Sequence, residues 1–206
     1  TVLLLESLHP DAEAVLAAHA PLLRAAEPNR PPTDTASVEA ILTRGRGRIT
    51  AELIERCPRL RVIARPGTGL DNVDLAAAER RGIPVIYAPG ANADTVAEHT
   101  MALMLDLVRG VSRSAELVRA GRWEDRGRYA GQEIRGLTLG IIGFGGVGRR
   151  AAALAAAFGM RILVAHRRPV DVPAPYSAAP LEDLLQTADV VRSEEHTSEL
   201  QSRYVI

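Results

Sequence analysis

"LGIIGFGGVGRRAAALAAAFGMRILVAHRR", residues 139–168, decides the fold. It opens on an apolar strand, turns at Gly143-x-Gly145-x-x-Gly148, enters an alanine-rich helix and closes on a second apolar strand. That order of elements, and not the glycine spacing alone, marks a dinucleotide-binding βαβ unit. Each glycine has its own task. Gly143 permits the tight turn, Gly145 lets a pyrophosphate approach the backbone, and Gly148 lets helix and strand pack closely. The helix start offers free N–H groups and a partial positive charge to the phosphates. Phe144, Gly146 and Val147 complete the turn and join the candidate cofactor contacts.

The end of the second strand selects the dinucleotide. An NAD site usually carries an acidic residue there to hold the ribose 2′-OH. This chain has His166, Arg167 and Arg168 instead. Without a carboxylate, nothing repels a 2′-phosphate, and two guanidiniums can pair with it. The charge argument favours NADP over NAD.

Outward from this unit, apolar runs alternate with helical patterns. Strands are expected at 2–6, 22–27, 39–44, 60–65 and 84–89, and helices at 11–20, 50–58 and 72–82. Thr50 supplies an N-cap, Asp71 and Asp74 are candidate caps for the third helix, and Gly82 closes it. Such alternation implies βαβ units and a parallel sheet. Residues 94–121 then read as a long helical stretch broken near Gly110, with Asp94 or Thr95 as its cap. Residues 122–136 read as a loop. Helices are expected at 147–158 and 180–187, and strands at 138–144, 161–166 and 188–191. The domain boundary is expected near residue 94: a first α/β domain over 1–93 and a dinucleotide-binding domain over 94–191.

Composition narrows the class. The 206 residues carry no formal net charge and are 47% hydrophobic, as in a globular chain. Neither nucleic-acid binding nor disorder is indicated. No apolar run reaches the roughly 18 residues of a membrane span. One cysteine excludes an internal disulfide and a cysteine-based metal cluster, so no metal is expected. A cytoplasmic location fits. All 25 basic residues are arginine, which points to a GC-rich coding sequence.

"VIARPGTGLDNVDLAAAERRGIPVIYAPGANADTVAEHTMALML", followed by "GQEIRGLTLGIIGFGGVG", resembles the D-isomer-specific 2-hydroxyacid dehydrogenases, among them the phosphoglycerate and glyoxylate/hydroxypyruvate enzymes. The resemblance spans residues 1 to 191. It implies an α/β architecture: a flavodoxin-like substrate domain followed by the first half of a Rossmann domain. In that family the chain later returns to finish the substrate domain. Arg65, Gly67, Thr68 and Gly69 match the loop that holds the substrate carboxylate, and successive N–H groups suit an anion. Asn92 matches a position near the substrate, and Thr95 one near the nicotinamide.

The implied chemistry is hydride transfer between a 2-hydroxy or 2-keto acid and NAD(P). An arginine, a carboxylate and a histidine carry it in the family. All three are expected beyond Val191; His99 reads as a packed or interface histidine rather than a catalyst, and no family motif surrounds His196. The chain is therefore expected to be inactive alone, and the intact protein to be a homodimer. The alternative is a non-enzymatic NAD(P)-sensing corepressor on the same fold.

The final stretch, "RSEEHTSELQSRYVI" (192–206), breaks this pattern. Its first eleven residues back-translate without interruption into what resembles a widely used sequencing adapter. Residues 193–202 contain no Ala, Gly or Arg, unlike the body of the chain. Residues 192–206 are accordingly expected to be a non-native tail.

Overall fold

A computed structural model of the chain describes residues 1–128, 131–167 and 170–193. Arg168, His196 and most of the tail expected to be non-native thus lie outside the described residues. The chain forms two compact units, divided between Ala91 and Asn92.

The first unit is built on β1 (Val2–Leu4), β2 (Leu22–Arg24), β3 (Ala40–Leu42), β4 (Val62–Arg65) and β5 (Val85–Tyr87). They pair in the order β2-β1-β3-β4-β5, all parallel. This is the flavodoxin-like order, with its switch point between β1 and β3. The strands are shorter than their apolar runs suggest. β1 and β3 stop before Glu6 and Arg44 because the backbone N–H groups of residues 44–47 bond the Glu6 carboxylate instead of a neighbouring strand.

Three helices connect the strands: α1 (Pro10–His19), α2 (Ala51–Arg56) and α3 (Leu75–Arg80). The Thr50 side chain caps α2 by accepting from Leu53 N at 3.3 Å. Asp74, rather than Asp71, caps α3, accepting from Ala77 N at 2.9 Å. α3 starts three residues later than expected. Ile49 bridges to Val73, and its N–H and carbonyl pair with Asn72 and Asp74. Gly82, at φ 63°, ends the helix. Leu3, Ile41, Ile54, Cys57 and Ile63 lie at the centre of the core. α1 buries none of its residues.

The second unit begins with α4 (Ala93–Arg109) and α5 (Val111–Arg119), broken at Gly110 with φ 61°. Asn92 is the N-cap of α4, not Asp94 or Thr95. Asp94 instead pairs with Arg150, 2.9 Å away. The segment expected to be loop contains a 3₁₀ helix, Trp123–Arg128. β6 (Thr138–Ile142), α6 (Gly146–Ala157), β7 (Arg161–Ala165), β8 (Ser177–Ala178), α7 (Leu181–Thr187) and β9 (Val190–Ser193) follow. The strands order as β8-β7-β6-β9, all parallel. That is the 3-2-1-4 portion of a Rossmann sheet, with its switch point between β6 and β9.

Two differences from the sequence reading stand out here. β8 is only two residues long, too short for a periodicity signal. β9 starts at Val190 and runs two residues past Val191, so that Arg192 and Ser193 pair with Ile141 and Ile142. Gly140 admits α7 onto β6: a Cβ there would lie 2.5 Å from Leu184 Cδ2 and 2.9 Å from Ala188 Cβ.

Among the described residues, no helix is long and apolar enough to cross a membrane. Among them, too, no three His, Cys, Asp or Glu side chains converge as a metal site would require.

Candidate dinucleotide and substrate sites

Both candidate sites lie at the carboxyl ends of parallel strands, where open α/β sheets bind ligands. In the second unit the turn after β6 assigns the glycines separate roles. Gly143 has φ 91°, a conformation that side chains rarely tolerate. A Cβ on Gly148 would lie 2.2 Å from the Gly143 carbonyl oxygen, so this contact between turn and helix needs glycine. Gly145 is different. A Cβ there would meet nothing within 4 Å, and its φ of −79° is ordinary. The space above it, beside the N–H groups opening α6, is free for a diphosphate.

A cavity of 530 Å³ extends from this turn, lined by Gly143, Gly145, Ala165, His166, Arg167 and Pro180 among others. The sheet thus brings His166 and Arg167, at the end of β7, onto the same cavity as the glycines. Both are exposed. Phe144 behaves otherwise: its ring is buried, edge-on to Tyr176 at 6.2 Å, with the Arg149 guanidinium 4.5 Å from its centroid. This cation–π contact is worth about 0.5–1 kcal/mol and fixes the first turn of α6. Phe144 can therefore serve a dinucleotide through its backbone only.

α4 packs against α6. A Cβ built on Gly146 would sit 3.7 Å from Ala93 Cβ. Asn92 and Thr95, both exposed, flank this helix pair. The Asn92 side chain makes no capping hydrogen bond to its own helix. His99 is exposed on α4.

In the first unit, Arg65 ends β4 and its guanidinium folds back over the loop that follows. A Cβ on Gly67 would fall 1.7 Å from Nη1, so a side chain there would displace the guanidinium from this position. Built Cβ atoms on Gly45 and Gly69 would lie 3.8 and 3.9 Å from Nη2. The Gly67 carbonyl accepts from Ala88 N at 2.9 Å, tying the loop to the end of β5. Arg65 Nε is buried and has no hydrogen-bond partner among the described residues. An unmet charged donor over a glycine loop is suited to a small anion.

Sequence reasoning missed two residues that build this loop. Glu6 Oε1 accepts from the N–H groups of Arg44, Gly45, Arg46 and Gly47 at 2.9–3.0 Å. Burial raises its pKa, but these backbone donors more than offset that and bring it down to about 2. The buried Asn72 joins the same cluster. The only sequence signal was an acid at the end of the first strand, and its partners lie some forty positions away.

Residues 2–206 match the family model for the catalytic domain of D-isomer specific 2-hydroxyacid dehydrogenases. The chain is 38% identical over 154 residues to a hydroxypyruvate reductase of Thermotoga maritima, an alignment covering 75% of this chain and 50% of that protein. The chain thus spans about half the length of that relative. It also superposes on the TT0316 protein of Thermus thermophilus with a TM-score of 0.83 at 33% identity, covering 96% of this chain and 65% of that one. A third match is the D-lactate dehydrogenase of Aquifex aeolicus complexed with NAD and lactic acid, with a TM-score of 0.80 at 27% identity, covering 94% and 60% of the two chains. With a family match running nearly end to end, and both sheets in the expected orders, the chain belongs to the D-isomer specific 2-hydroxyacid dehydrogenase family.

Proposed function

We propose that this chain carries the binding elements of an NAD(P)-dependent oxidoreductase acting on a D-2-hydroxy acid, in a substrate domain over 1–93 and a dinucleotide domain from 94. The observation that carries the reading is Arg65, whose buried Nε lacks a partner among the described residues above a glycine loop at a strand end. Arg65, Gly67, Thr68 and Gly69 receive the substrate carboxylate, and Asn92 approaches the substrate. Gly143, Gly145 and Gly148, with Phe144, Gly146 and Val147, hold the pyrophosphate, while Thr95 lies toward the nicotinamide. The bound NAD(P) supplies or takes the hydride. Arg65→Ala is expected to weaken binding of a small 2-keto acid by at least about tenfold, the worth of a charged hydrogen bond. Calorimetric titration with glyoxylate tests this, and unchanged affinity would remove Arg65 from the site.

The dinucleotide is NADP in preference to NAD. His166 and Arg167 face the cavity where an NAD site would usually place a carboxylate. Fluorescence titration is expected to give NADPH an affinity at least about tenfold above NADH. Equal or tighter NADH binding would overturn the preference.

The family's acid–base histidine, its carboxylate partner and the substrate-gripping arginine are assigned to no residue here. The 206-residue chain alone is therefore expected to turn over neither glyoxylate, hydroxypyruvate nor phosphoglycerate. Measurable oxidation of NADPH or NADH with any of them would show that the chain holds its own acid–base pair. The intact protein is expected to be a homodimer.

A further inference from the structure

We propose that Glu6 is the positioning residue of the substrate loop: its carboxylate, seated among the N–H groups of residues 44–47, locks that loop and the Arg65–Asn72 loop into one arrangement. This inference deepens the carboxylate-binding reading of Arg65 and rests on it.

Four consecutive backbone N–H groups converge on Glu6 Oε1. Such a ring is an anion nest, which in other proteins takes a phosphate. Here the chain fills it with its own side chain. The Thr43 hydroxyl lies 3.1 Å from Oε1 and 2.7 Å from the Gly47 carbonyl oxygen, and its one hydrogen goes to one of them at a time. Gly47 has no room for a side chain, since a Cβ would sit 2.7 Å from Leu5 Cβ and 3.0 Å from the Pro28 carbonyl. The nest is thus tight on both sides.

Two lines run from the nest to Arg65. Asn72 Nδ2 donates to the Gly47 carbonyl at 2.6 Å and approaches Thr43 Oγ1 at 3.4 Å, which fixes the far end of the Arg65–Asn72 loop. Gly45, within the nest, lies beside the guanidinium: a Cβ built on it would be 3.8 Å from Arg65 Nη2. The proposed role of Glu6 is to act on Arg65 through these two loops. The charged groups that share its cavity are Arg44 and Arg46 on the nest loop, Glu27, and Glu13 of α1, which is paired with Arg24 of β2 at 2.6 Å. The lowered pKa agrees with an ionised nest anion. Its stabilisation is complete above the ordinary carboxylate range and is lost as pH falls toward 2.

The test uses the full chain and amide hydrogen exchange. Glu6→Gln is expected to speed exchange about tenfold or more at residues 44–47 and at 67–72 together, the loss expected when bonds to a charged acceptor become bonds to a neutral one. In Glu6→Ala, formate is expected to re-enter the nest and restore protection to both loops, where chloride does not. Faster exchange confined to 44–47, or formate restoring one loop only, would overturn the proposal. Oxalate is the ligand probe. It is expected to shift the amides of Gly67–Gly69, to bind Glu6→Gln about tenfold more weakly, and to regain part of its affinity in Glu6→Asp. Oxalate affinity unchanged in Glu6→Gln would also overturn the proposal. If oxalate fails to bind the parent chain while both loops still respond to Glu6, the carboxylate reading falls and the positioning role stands.

Discussion

Gly148→Val is expected to abolish dinucleotide binding and to destabilise the second unit by about 3 kcal/mol or more, the upper range for forcing atoms into a packed site. Even the first added carbon would sit 2.2 Å from the Gly143 carbonyl oxygen and 3.2 Å from its carbonyl carbon. The obstacle is backbone and cannot swing aside. Either α6 shifts from β6 or the turn opens, and both displace the N–H groups at the start of α6. Gly145→Ala separates the two consequences. Its added carbon meets nothing within 4 Å, so the fold is retained while the diphosphate loses its place. Thermal unfolding and NADPH titration of the pair decide the matter. Normal NADPH affinity in Gly145→Ala would remove the diphosphate from that spot. Unaltered stability in Gly148→Val would mean that the helix does not rest on the turn.

Ile63→Ala is expected to cost about 2–5 kcal/mol, the range for emptying a closed core position. Ile63 is fully buried on β4, between Ile41 of β3 and Val85 of β5. Neighbours on both sides limit collapse into the void. In a unit of this size the loss corresponds to a fall in melting temperature of roughly 4–8 °C per kcal/mol. The effect reaches the site, because Arg65 is two residues on along the same strand. Urea unfolding measures the loss, and a change below about 1 kcal/mol would place Ile63 outside the tight core.

Much of this architecture was legible in the sequence because the deciding residues act locally. Gly143 and Gly148 are required by backbone geometry within a single turn. Thr50 and Asp74 cap helices three residues ahead, and Gly82 and Gly110 adopt positive φ at helix ends. What was missed depends on distant partners. The start of α3 is set by pairing with Ile49, more than twenty positions earlier. Asp94 is not the cap because α4 already starts at Ala93, which places Asp94 within the first turn, where it pairs with Arg150 of α6. β9 continues through Arg192 and Ser193 because β6 offers a ladder long enough to pair them. Glu6 is the clearest case. Nothing in "VLLLESLHP" shows that its carboxylate will gather the amides of a loop some forty residues on.

Cys57, the single thiol in the sequence, caps the carboxyl end of α2 with no exposed surface. Burial also pushes its pKa up, so the reactive thiolate is scarce in the folded state. A thiol reagent can reach it only when the surrounding core opens. The chain therefore carries its own reporter: the rate of labelling at Cys57 times the opening of the first unit, with no engineered probe and no second cysteine to confuse the signal.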